Sequence, residues 1–221
     1  MRRLPHGYTN DTRGDGAVVV KRYDGPDAAD RQAREQLMLD RLSGSLPVPA
    51  LLSGGAGELT TRWVAGVHGQ ELIEAGHAAA VLRACGTTLR RVHATELADV
   101  FGDDPRPGGT VLVHGDYGPN NILLAPPAFT VTAVLDWEWA HPGRPIEDIA
   151  WCEWIVRTHH PRHAAALDEF FAGYGHRPAW AERREAMLDR CSSLLEFCRR
   201  WTPAGVQLWR RRLDDTAGWT E

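Results

Sequence analysis

His114-Gly115-Asp116-Tyr117-Gly118-Pro119-Asn120-Asn121-Ile122-Leu123, followed by Val134-Leu135-Asp136-Trp137-Glu138, is the stretch that decides how this 221-residue chain reads. Two carboxylate-bearing loops are each entered from an apolar, strand-forming run, Val111-Leu112-Val113 and Val131-Thr132-Ala133-Val134-Leu135. The pattern predicts neighbouring strands whose ends bring Asp116, Asn121 and Asp136 towards one polar point. Such a set suits phosphoryl transfer, which depends on positioning and charge neutralisation more than on covalent catalysis. Asp116 fits the group that faces an attacking hydroxyl. Asp136 and the amide oxygen of Asn121 fit ligands for magnesium, a hard cation that prefers oxygen. Asp, Gly, Pro and Asn are also the commonest turn formers, so the first loop alone reads equally as a hairpin closure. The second loop, fifteen residues on, makes that reading hard to sustain.

His-Gly-Asp-x-x-x-x-Asn-Ile-Leu, an apolar strand, Asp-Trp-Glu and then Gly143-Arg144-Pro145-Ile146-Glu147-Asp148-Ile149-Ala150 together resemble the aminoglycoside phosphotransferase and choline kinase family of protein-kinase-like folds. The resemblance implies transfer of the terminal phosphate of ATP or GTP, with Mg2+, to a hydroxyl of a small molecule. It makes Asp116 the catalytic base, Asn121 and Asp136 the metal ligands and His114 a structural member of the catalytic loop. Asp148 matches the family's buried acid that braces that loop; an acid favoured by the dipole of the following helix is the other reading of it. Many relatives carry a second histidine where this chain has Gly118.

Composition supplies an independent indication. Of 25 basic residues Lys21 is the only lysine, and it lies in Ala17-Val18-Val19-Val20-Lys21-Arg22-Tyr23, a strong strand pattern. Kinase-like folds place a lysine on such a strand, against the nucleotide phosphates. Lysine offers a compact point charge where arginine presents a bulkier fork. The segment 30–42 has leucines at helical spacing and carries Glu35, the expected ion-pair partner of Lys21; a solvated helix charge is its plainer reading. Gly7 to Thr12, with Asn10 inside it, resembles the family's phosphate-covering turn. Leu59 to Gly66 resembles its hinge, which assigns Arg62, Trp63 and Val64 to adenine.

The chain is expected to be α+β and bilobal: a small β-rich N-lobe over 1–65, and a mainly helical C-lobe over 66–221 holding the catalytic loop 114–121, the metal loop 136–138 and the acceptor-binding helices. The N-lobe reads as a hairpin, a helix over 27–43 and strands near 50–53 and 58–64. The C-lobe reads as a helix over 77–94 with Ala79, Leu82, Cys85, Gly86, Leu89 and Val92 on its inner face, a Gly/Pro/Asp-rich linker over 99–109, and helices near 146–158, 163–174, 179–200 and 203–213.

A net charge of −4 gives no footprint for nucleic acid. Four cysteines without C-x-x-C spacing, no secretory leader pattern and no apolar run of membrane-spanning length point to a cytoplasmic chain with reduced core thiols and no membrane partner. Nothing in the sequence fixes an oligomeric state. His159 and His163 are four apart, but Pro161 interrupts them and no tetrahedral metal set is completed.

Residues 137–221 carry 13 acidic and 12 basic side chains, which gives a polycationic acceptor no particular support. The expected acceptors are accordingly an antibiotic, as in resistance enzymes of the family, or a sugar, nucleoside or amino alcohol. Tyr117, Glu138, Trp139 and Trp151 are the candidate contacts, with the nine tryptophans offering stacking faces or simply core aromatics. Two other classes stay open: a kinase-like protein that binds a nucleotide or metabolite without turnover, and a metallohydrolase using His114, Asp116, Asp136 and His141.

Overall fold

The computed structural model describes residues 1–4, 10–102 and 108–221. The N-terminal sheet has five antiparallel strands in the order β1-β2-β3-β5-β4: β1 Arg2–Arg3, β2 Asp11–Gly14, β3 Val18–Arg22, β4 Leu51–Gly55 and β5 Glu58–Arg62. The valines of β3 favour extended backbone, and the pairing of Lys21 with Thr12 on one side and Leu59 on the other makes β3 a central strand. Helix α1, Ala28–Arg41, packs on this sheet and buries Arg31, Glu35, Met38 and Leu39, a 3.6-residue stripe that is polar at one end and apolar at the other. Gly7 to Thr9 of the expected phosphate-covering turn, and positions 103–107 of the expected linker, lie outside the described residues.

After β5 the chain leaves the sheet at Trp63, passes β6 Val67–His68 and α2 Gly69–Leu72, and makes one π-helical turn at Ile73–His77. It then enters α3 Ala78–His93, followed by the short α4 Leu97–Phe101, so the expected linker begins as helix. The buried stripe of α3 runs through Ala78, Val81, Leu82, Cys85, Leu89 and Val92. Ala79 is exposed, one position off the face assigned to it. A π turn adds a residue to the helical repeat, so the inner face cannot be extrapolated back through it.

Strand β7 Val111–Val113 pairs with β10 His141–Gly143, while β8 Ile122–Ala125 and β9 Thr130–Val134 form a hairpin that β6 extends. The expected pairing of neighbouring strands at 111–113 and 131–135 is therefore corrected. The two strands sit in separate small sheets, because the chain returns through β8 before β9 and the turn at Trp137–Trp139 leads into β10.

The remaining chain is helical: α5 Pro145–His159, a 3₁₀ segment Pro161–Ala166, α6 Leu167–Tyr174, α7 Trp180–Arg199 and α8 Pro203–Ala217. Helices α3 and α6 cross at glycine. A Cβ on Gly86 would stand 2.0 Å from the Phe170 carbonyl oxygen, and one on Gly173 would stand 2.4 Å from that of Arg83. A small β-sheet lobe set against a mainly helical region is the α+β, bilobal, kinase-like architecture that the sequence implied.

Candidate active site

Lys21 projects from β3 into the space between the sheet and the β8–β9 hairpin. Its Nζ lies 2.6 Å from Glu35 Oε2 on α1 and 2.5 Å from Asp136 Oδ1 just after β9. Burial alone would depress its pKa. Asp136 and Glu35 outweigh that cost and hold the ammonium well above its ordinary value. The Tyr23 hydroxyl also donates to Glu35 Oε2, at 2.5 Å, and so fixes the carboxylate that meets the lysine. Tyr23 is two residues from Lys21, and strand alternation is the signal by which it could have been found.

Asp136 adopts left-handed backbone, φ 66° and ψ 58°. For a residue with a Cβ this costs about 1–2 kcal/mol and persists only where the surroundings hold it. Here Leu135 N–H donates to the Asn121 carbonyl, and the His114 ring bonds the Leu135 carbonyl at 2.9 Å. His114 is fully buried; its Nδ1 accepts from the Asp116 amide, which leaves Nε2 as the donor to Leu135 and sets the tautomer. One imidazole thus ties the Asp116 loop to the Asp136 loop.

Beneath it Asp148, also fully buried, accepts from the amides of His114 at 2.7 Å and Gly115 at 2.9 Å, and from His93 Nε2 at 3.1 Å. Burial opposes ionisation of Asp148, but the hydrogen bond from His93 and the charge and amide donors around it hold its carboxyl below the usual aspartate range. Asp148 also lies in the first turn of α5, so both readings of it are met by one side chain. Gly115 must be glycine: φ is +82° and a Cβ would come 2.5 Å from the Trp139 carbonyl oxygen.

Asp116 is partly open to solvent. Oδ1 accepts from Trp151 Nε1 at 2.7 Å, and Oδ2 accepts from Asn121 Nδ2 at 2.9 Å. Burial and the charge of Asp136 raise its pKa, against Arg190, Trp151 and His114. The same Asn121 nitrogen donates to the Asp116 carbonyl. Two acceptors on one nitrogen fix the amide orientation and leave Oδ1 available to a cation.

A cavity of about 510 Å³ lies beside Lys21 and Asp136. Val19 and Leu59 line it from the sheet and Leu123 and Leu135 from the other side, a slot suited to a planar ring; Arg62, Trp63 and Val64 border it. Trp63 N–H donates to the Ala17 carbonyl, which ends the sheet at the expected hinge.

Several sequence-derived assignments change. Asn10 borders the cavity, but its amide donates to Glu138 Oε2 at 2.8 Å and accepts from Arg31, so it acts as a brace between the lobes. Glu138 is 1% exposed and accepts from Arg31 at 3.0 Å. It faces the N-lobe, not the acceptor, because that buried guanidinium claims it; burial and Asp136 push its pKa up, against Lys21 and Arg31. Tyr117 is fully buried and its hydroxyl donates to the Cys85 carbonyl at 2.7 Å, which makes it a core residue.

Trp151, 4% exposed and stacked on Trp154 at 4.4 Å, has no free face for an acceptor; its contribution is the hydrogen bond to Asp116. Trp139 remains partly exposed, edge-on to Phe197. The histidines of the alternative hydrolase set are committed elsewhere: His114 as above, and His141 to the Trp139 carbonyl and Glu147. Sequence reasoning missed Arg31 and Arg190, for which no local pattern exists.

A lysine on a central strand paired to a helix glutamate, opposite two braced carboxylate loops, defines a kinase-like phosphotransferase. Residues 1–109 and 103–186 match the profile of the phosphotransferase enzyme family, and the chain belongs to that family. Among solved structures it is similar to the GDP complex of aminoglycoside 2'-phosphotransferase-IIIa, with TM-score 0.74, 12% identity, and coverage of 97% of this chain and 91% of that one. It is likewise similar to macrolide 2'-phosphotransferase from Brachybacterium faecium, with TM-score 0.64, 18% identity, and coverage of 100% and 93%. A choline/ethanolamine kinase family protein from Mesorhizobium loti gives TM-score 0.64 and 18% identity over 97% of this chain and 84% of that one. At such identities the likeness is one of fold. Mouse acyl-CoA dehydrogenase family member 10 is 45% identical over 47 residues, 21% of this chain and 4% of that much longer protein.

Proposed function

We propose that this phosphotransferase moves the terminal phosphate of ATP or GTP, with Mg2+, to a hydroxyl of a small molecule, and that its division into nucleotide and acceptor lobes falls near residue 65. The observation that carries the reading is the position of Lys21, held by both Glu35 and Asp136 at the mouth of an apolar slot. The nucleotide base lies in that slot against Val19, Leu59, Leu123 and Leu135, bordered by Arg62, Trp63 and Val64. Lys21 neutralises phosphate charge, with Glu35 fixing its direction.

The donor set suits magnesium, being entirely oxygen: the Asp136 carboxylate and Asn121 Oδ1, whose nitrogen is already engaged with Asp116. Bound there, the ion would supply charge neutralisation on the phosphates. Asp116 orients the acceptor hydroxyl and takes its proton as the oxygen attacks phosphorus. The bond between phosphorus and the bridging oxygen breaks, and the nucleoside diphosphate leaves. Trp151 and Asn121 hold the two oxygens of Asp116 in place. The four cysteines are buried and unpaired, which supports work in the reducing cytoplasm.

The test is mutagenic. Asp116→Asn should lower nucleotide-consuming turnover by about 10²–10⁴-fold, the usual worth of a general base, while nucleotide binding persists. Asp136→Ala should abolish the magnesium dependence of nucleotide affinity. Full activity in the first variant, or unchanged magnesium-dependent affinity in the second, would refute the assignment.

A further inference from the structure

Trp151, whose indole donates to Asp116 Oδ1, and Trp139 of the Trp137–Trp139 turn both lie against α7. Arg190 of α7 is partly exposed, and its guanidinium lies 5.3 Å from the Trp139 ring centre and 5.6 Å from that of Trp151. Its Nε is buried without a hydrogen-bond partner, and no described residue forms a salt bridge with it.

The two fully buried arginines each have a carboxylate: Arg31 with Glu138 at 3.0 Å, and Arg183 with Glu153 at 2.6 Å. The acids whose charge reaches Arg190 are Asp116, Glu147 and Asp148. All three are engaged elsewhere: Asp116 with Trp151 and Asn121, Glu147 with His141, and Asp148 with His93 and two amides. A guanidinium remains charged even when burial lowers its pKa, as it does here. Two indoles therefore hold a cation, one of them the indole that bonds Asp116, with its hydrogen-bonding fork uncommitted among the described residues.

We propose that Arg190 determines acceptor specificity by receiving an oxyanion of the acceptor, a carboxylate or a phosphate ester carried near the hydroxyl that Asp116 activates. This rests on the phosphotransfer reading above. Arginine presents a planar pair of donors that matches either oxyanion, and the interaction strengthens as water is excluded. A polycationic acceptor meets the opposite: bringing an ammonium to an uncompensated guanidinium is costly, and discrimination against it follows from the same side chain. The aromatics then serve as the bed for Arg190 and not as the stacking platform for the acceptor.

The experiment uses the full chain loaded with Mg2+ and a non-hydrolysable ATP analogue, and titrates matched compounds by calorimetry: ribose against ribose 5-phosphate, glycerol against glycerate, and kanamycin as the polycation. The expected result is that the anionic member of at least one pair binds at least about tenfold more tightly than its neutral partner, with the sugar and glycerol pairs separating phosphate from carboxylate. Kanamycin should bind no better than the neutral compounds. Arg190→Gln should bring the anion down to the neutral affinity, and Arg190→Lys should retain part of the preference. Arg212→Gln, which removes a cation resting on Trp154 and Trp209, should leave it intact.

Tighter binding of kanamycin, no preference for any anion, or a preference that survives in both Arg190 variants would overturn the inference. Failure of the chain to bind the nucleotide analogue at all, or equal binding by Asp136→Ala, would instead count against the phosphotransfer reading itself.

Discussion

At the scale of single residues, the site is built from side chains that each have one geometric solution. Gly115 is the sharpest case, since a methyl group there meets the Trp139 carbonyl oxygen at 2.5 Å and the backbone is left-handed. Gly115→Ala is expected to destabilise the protein by about 2–3 kcal/mol, from backbone strain of about 1–2 kcal/mol plus the displaced carbonyl. Urea unfolding checks this, and a loss under about 0.5 kcal/mol would mean that the turn relaxes freely. Asp116, Asn121, Asp136 and Lys21 were legible in the sequence because each sits in a short local pattern. Tyr117, Glu138 and Trp151 were named but given the wrong task. A side chain's direction at a loop position depends on what packs over it, and for these three that is α3, α1 and α7 respectively.

At the scale of elements, α5 and α7 are joined by an ion pair with no access to water. Glu153 and Arg183 are both fully buried, with contacts of 2.6 and 2.7 Å, and Arg183 also donates to the Pro178 carbonyl. Each partner has a second counter-charge, Glu221 for Arg183 and Arg157 for Glu153. Glu153→Met and Arg183→Leu are each expected to cost about 1–3 kcal/mol of stability, and the two together to cost less than the sum. Chemical denaturation of the wild type, the two single variants and the double variant decides the matter, and additivity of the two single losses would show that the pair is not coupled. The helices themselves were predicted to within a few residues because apolar spacing is a local property. The inner face of α3 slipped by one at its start because the π turn before it changes the repeat, and the 3₁₀ segment Pro161–Ala166 shortened the helix expected over 163–174.

At the scale of the whole molecule, the end of α7 reaches back to the N-terminal lobe. Arg200 grips Asp27 at the start of α1 through both nitrogens, at 2.6 and 3.1 Å, while Trp201 covers Gly25 so closely that a Cβ there would stand 2.7 Å from the indole. The ion pair is exposed and contributes little to global stability. Its consequence is the relation between lobes: Asp27→Asn combined with Trp201→Ala should change unfolding free energy by about 1 kcal/mol or less, yet speed hydrogen exchange in the first turn of α1 by several-fold. Unaltered exchange there would show that the contact holds nothing.

The sequence by itself determined the family, the two-lobed α+β plan and the four residues proposed for the transfer, since all of these are written in local spacing and residue type. Only the tertiary structure decided which groups face them. The bonds that close the site, Lys21 to Asp136, Asn10 and Arg31 to Glu138, and Trp151 to Asp116, join positions 35 to 128 residues apart. The cation left beside Asp116 comes from a helix later still in the chain. No local pattern encodes such pairings, because they exist only once burial has removed water as the alternative partner.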